Sequence, residues 1–150
     1  MPTSVKSQIL TQIATLVATL VGTGTGQVRE ATRVRTLEIL SDRTPSLHWA
    51  EGDESPAADA EDNRGYTLEF DLIFKLTIAD HRDANATLDV LTPYLQAVIE
   101  DDPTLNSLVN WIVYRGDFNW VHETKAPVGG RFLFYRVQYR RLRGDPNTNY

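Results

Sequence analysis

The run from Tyr66 to Ala79 constrains the fold more than any other part of the chain. Tyr66, Leu68, Phe70, Leu72, Phe74, Leu76 and Ile78 alternate without a break, with Thr67, Glu69, Asp71, Lys75 and Thr77 between them. Period two sends successive side chains to opposite faces, so this is a long strand with one buried and one mostly wet face. At about 3.3 Å per residue it spans roughly 45 Å, longer than most strands. Such a strand bends, or reaches past its own domain.

A strand this long needs a cover, and two amphipathic helices supply it. Val5, Ile9, Ile13, Leu16 and Leu20 recur at helical spacing, so Ser4 to Val21 reads as a helix with Ser4 as N-cap and Gly22 at its end. Leu88, Leu91, Leu95, Val98 and Ile99 mark a second helix over Asp83 to Asp101. Pro93 lies inside it, where proline costs about 3 kcal/mol. Either the helix kinks there, or Thr92 caps a fresh start. Ile9, Ile13, Leu16 and Leu20 are expected on the face formed by Leu68, Phe70, Leu72 and Phe74, beside Leu91, Leu95 and Val98.

The remaining strands are shorter. Gln27 to Arg35 and Ser46 to Glu51 read as strands, and Gly52 to Arg64 as a mobile acidic loop with nothing to bury. Ser107 to Tyr114 and Phe118 to Glu123 flank Arg115-Gly116-Asp117, a tight turn or a bulge. Arg131 to Arg141 is the last strand, after a loop over Ala126 to Gly130, and the tail beyond Gly144 is read as frayed. Helix, strands, long strand, helix, strands is an α+β order. The expectation is one domain over 1–150, with a mixed or antiparallel sheet and both helices on one face.

Chemistry is sparse. The 150 residues include no cysteine, which removes disulfides, thiolate nucleophiles and cysteine-ligated zinc. His48, His81 and His122 show no metal-ligand spacing. Gly22-Thr-Gly-Thr-Gly26 follows a helix, whereas phosphate loops precede one, so it reads as a turn. No catalytic, cofactor or metal site is expected, nor an enzyme. A formal net charge of -5 disfavours a dedicated nucleic-acid binder. The N-terminal apolar stretch is too short and too polar to span a bilayer, and it lacks a basic leader.

Charge and aromatics point instead to contacts between proteins. Arg131, Arg136, Arg140, Arg141 and Arg143 crowd the last strand, and Arg29, Arg33 and Arg35 the first. If these strands are neighbours, one sheet edge is basic. Asp53, Glu54, Asp59, Glu61 and Asp62 make an acidic loop suited to partner docking. Arg136, Arg140, Arg141, Arg33 and Trp120 are the candidate contacts between copies or with a lumen. Trp111 shares a strand face with Val109 and Val113 and is assigned to the core.

The order of these elements, the run Leu95-Gln-Ala-Val-Ile-Glu-Asp-Asp-Pro-Thr-Leu105 and the closing Gly130-Arg-Phe-Leu-Phe-Tyr-Arg-Val-Gln-Tyr139 carry a resemblance over nearly the whole chain. It resembles the tail terminator (tail completion) proteins of long-tailed bacteriophages, similar to the lambda-type minor tail protein. Pro93 departs from that pattern. The resemblance implies a virion protein at the head-proximal end of the tail, assembled in the host cytoplasm. It implies a hexameric ring that caps the tail tube and meets the tube protein and a head-side connector. DNA would pass the lumen without sequence-specific binding, with no cofactor or membrane involved. The alternatives are another connector, stopper or tube-like protein, and a small ligand-binding α+β domain.

Overall fold

The long strand predicted from the alternation is β3, Thr67–His81, in the computed structural model of the chain. Residues 3–34, 44–57, 67–81, 85–122 and 128–147 are described. Among them the order is α1 (Val5–Ala18), β1 (Glu30–Arg33), β2 (Ser46–Pro56), β3, α2 (Asn85–Glu100), β4 (Trp111–His122) and β5 (Val128–Leu142). The five strands form one sheet in the order β1-β2-β3-β5-β4. β1 runs parallel to β2, and the other neighbours are antiparallel, so the sheet is mixed.

Both helices cover one face. Leu72, Phe74, Leu76 and Ile78 of β3 are buried there with Leu133, Tyr135, Val137 and Tyr139 of β5. Val5, Ile9, Ile13 and Val17 of α1 and Leu88, Leu91, Leu95 and Ile99 of α2 join the same core. The expected face of β3 is correct, but the core is centred further along it. Phe70, Leu16 and Val98 are partly buried at the margin of the core. Trp49 of β2 is the fully packed tryptophan. Trp111 is not in the core: its cross-strand partner Gln138 lies on the opposite face, with Arg136 over its ring.

Local chemistry explains the element ends. The Ser4 hydroxyl accepts from Ser7 N–H at 3.1 Å, as an N-cap should. α1 stops at Ala18, and Val28 is spent on its end: Val28 N–H donates to the Leu20 carbonyl and Gly22 N–H to the Val28 carbonyl. That is why β1 begins only at Glu30. α2 passes Pro93 without a second start. Thr92 Oγ1 donates back to the Leu88 carbonyl at 2.7 Å rather than capping a new helix. Proline lacks the N–H that would have bonded the Asp89 carbonyl, and it sits on the exposed side of the helix.

Past α2 the chain does not enter a strand at Ser107. Leu105, Asn106 and Ser107 hold φ of 46°, 59° and 63°, a left-handed stretch that non-glycine residues avoid. The Asp102 carboxylate holds the turn by accepting from Asn106 N–H at 2.6 Å and Thr104 N–H at 3.0 Å. Those amides depress the Asp102 pKa, with the Thr104 hydroxyl adding to the effect. Arg115-Gly116 is a bulge inside a single β4, with Gly116 at φ 115°. Val128-Gly129-Gly130, expected as loop, are the first residues of β5.

Residues 145–147 are not frayed. Asp145 bridges back to Leu142, and the Pro146 carbonyl accepts from Val5 N–H at 2.8 Å, an amide at the start of α1 with no helical partner.

His48 lies on the face without helices yet is buried, between Thr32 Oγ1 at 3.0 Å and Ser46 Oγ at 2.9 Å. Burial lowers its pKa below the ordinary 6.5, opposed by the nearby Glu30 charge. The unfolded chain therefore takes up the proton more readily. Stability is complete above the unfolded value and is lost as pH falls through the folded one. The slope from one proton is at most about 1.4 kcal/mol per pH unit. Urea titrations of wild type and His48→Gln between pH 5 and 7.5 should differ by an amount that changes with pH. A constant difference would contradict the assignment.

Candidate functional site: the helix-free sheet face

The odd-numbered residues of β3 define a second face that neither helix covers. Ile73 stands at its centre, paired across to Arg136 of β5, with Lys75 and Asp71 two residues away along β3. Ile73, Val113 and Phe118 are exposed large apolar side chains, at 40%, 39% and 54%. Ile73 and Val113 flank Arg136 in one row across the sheet, and Phe118 pairs with Phe132 on the same face. Large apolar side chains gathered on one face mark an interaction surface.

Aromatic rings flank that centre. Phe118 stacks on Phe132 at 5.1 Å, and Trp120 tilts against the same ring at 5.8 Å. Lys75 Nζ lies 4.6 Å from the centre of the Phe132 ring, and the Arg136 guanidinium 5.0 Å from that of Trp111. Both cations are held by cation–π contacts. Among the described residues no carboxylate forms an ion pair with either. The face is therefore apolar, aromatic and locally cationic, a composition suited to protein contact.

The sequence candidates divide. Arg136, Arg140 and Trp120 share this face. Arg140 is paired there with the buried Glu69. Arg33 and Arg141 lie on the helix side. Arg33 pairs with Glu51 and lies over Trp49, and Arg141 lies over Phe70. β1 and β5 are not neighbours, because β2 and β3 separate them, so the described arginines form no single basic edge, and Arg35 lies outside the described residues.

The acidic candidates also divide. Asp53 and Glu54 belong to β2, which runs to Pro56 with a bulge between Glu51 and Glu54. Glu54 is structural: Tyr139 Oη donates to it at 2.9 Å, and Lys6 Nζ lies 3.4 Å away. This ties α1 to β2 and β5. Burial and that hydrogen bond raise the Tyr139 pKa. Tyr139→Phe should lower stability by about 1–2 kcal/mol, read from denaturant midpoints, because the acceptor is ionised. An unchanged midpoint would show that the contact is not formed in solution. Asp59, Glu61 and Asp62 lie outside the described residues.

In the sequence Phe118, beside Trp120 and next to the bulge, is a candidate interface anchor, whereas Ile73 goes unmarked and Val113 falls on the face assigned to the core with Trp111. The available signal was Ile73, an apolar residue on the otherwise polar side of β3.

A recess of about 480 Å³ lies between α1 and the β1–β2 edge, lined by Lys6, Leu10, Ala14, Arg33, Trp49 and Glu51. Among the described residues no group of three histidine, aspartate or glutamate side chains could hold a metal ion. No described helix is long and apolar enough to cross a membrane. A scan against models of protein families finds none that matches the chain, and a search of curated proteins finds no significant match.

Proposed function

We propose that this chain is a structural virion protein, a tail terminator that closes into a ring on the end of a phage tail tube. The observation that carries the proposal is the helix-free face, with Ile73, Val113 and Phe118 exposed among aromatics and two cations, Lys75 and Arg136, held over aromatic rings. A lone domain gains nothing from that surface, and a ring subunit uses it in every copy. The whole-chain resemblance supports the same conclusion: the described elements follow the α+β order on which it rests.

The mechanism is geometric. A growing tube exposes unpaired surfaces that recruit the next layer. A ring that matches the tube on one side and not on the other ends the polymer, with heterologous contacts closed by rotation. Head-side partners meet the unmatched side. Each contact in the ring is weak alone and becomes strong when closure makes the last one intramolecular.

Electron microscopy of the protein at high concentration tests this. Closed rings with a central channel are the expected result. A monodisperse monomer at every concentration, with a small molecule held in the recess beside Trp49, would favour the ligand-binding alternative.

A further inference from the structure

We infer that ring subunits join through the outer stripe of α2, which seats on the helix-free sheet face of the next copy. This rests on the ring reading and specifies its contact.

α2 is amphipathic toward the core, yet its solvent side is also apolar. Val90 and Tyr94, one turn apart, are each 47% exposed, and Ala86, Pro93 and Ala97 are exposed beside them. A surface helix ordinarily presents polar residues there. The stripe continues into Glu100 and Asp101, both exposed. They sit at the negative end of the helix dipole, where carboxylates are disfavoured and cations are the usual choice. α2 carries no basic residue in its last turn. A cationic partner surface accounts for this arrangement.

The sheet face is that surface. Its exposed centre, Ile73, is flanked by Lys75 and Arg136, against which stands the half-buried Asp71. Glu69 and Arg140 cancel as a pair. The immediate surroundings of the apolar centre are therefore net positive, and the α2 stripe is net negative. Sizes also agree. From Val90 to Glu100 the helix rises about 15 Å. From the Phe132 row to the Gln138 row the sheet runs about 20 Å. The stripe and the face belong to opposite layers of the subunit, so a subunit cannot use one on the other within itself. Contact between copies is then head-to-tail, the kind that closes rings.

The absence of native cysteine makes the test direct. Val90→Cys and Val113→Cys are prepared separately, both at exposed sites, mixed in concentrated solution and treated with a short bifunctional thiol cross-linker. The Val90–Val113 species should outnumber either homodimer about tenfold, as one fixed docking geometry requires. Adding Lys75→Glu to the Val113→Cys partner should reduce that species several-fold, and Glu100→Lys with Asp101→Lys on the other partner should restore it. Homodimers in equal or greater yield, or no product, would overturn the docking. Rings or capped tubes seen together with that negative result would leave the ring reading standing. A strong Val90–Val113 product without rings would do the reverse.

Discussion

Truncating Phe74 to alanine should lower stability by about 3–5 kcal/mol, the range for emptying a fully buried aromatic site. Phe74 has no exposed surface and stacks on Tyr135 at 5.5 Å, in the middle of the strand that both helices cover. Phe70→Ala, four residues earlier on the same face, should cost distinctly less. Phe70 is only partly buried, between the Tyr139 ring and the Arg141 guanidinium. Urea denaturation of the two variants measures the difference. Equal losses would place the core further toward the start of β3 than Leu72 to Ile78.

Gly130→Ala should cost about 1–3 kcal/mol, the usual penalty for forcing a group into filled space. A Cβ at Gly130 would come within 2.3 Å of the Trp120 indole, whose ring lies across that cross-strand pair. The methyl must push the indole aside, so tryptophan emission should shift as well. The cost should be non-additive: with Trp120→Ala already in place, Gly130→Ala should cost much less. A full additive penalty would mean that the strain arises in the backbone of β5 and not from Trp120.

The fold was legible where one physical signal dominated. Unbroken alternation located β3, and 3.6-residue spacing located both helices and their buried sides. Local pattern misleads where residues serve a neighbour instead of their own element. Its place in the pattern puts Val28 in a strand, but its amide and carbonyl complete the end of α1. Asp145 to Asn147 looked like an idle tail, but the Pro146 carbonyl satisfies the first turn of α1, a pairing that no local pattern encodes. Asp53 and Glu54 looked like loop because acidic residues are poor strand formers. For Glu54, pairing with Leu72 of β3 and the Tyr139 hydrogen bond override that preference, and Asp53 is carried in the bulge beside it.

The candidate surface was legible only in fragments. Arg136, Arg140 and Trp120 were singled out by composition, and they share one sheet face. Arg33 and Arg141 were grouped with them because charge counting ignores which side of a strand a residue faces. One-residue parity sends Arg140 and Arg141 to opposite sides. Trp111 was placed in the core for want of its register with Gln138.

Mixing the protein with assembling tail tubes tests the proposed function most directly. Imaged by electron microscopy, tubes should stop at a defined length and carry this protein as a ring at one end only. Tubes that grow on unaffected, or that carry the protein along their whole length, would contradict it.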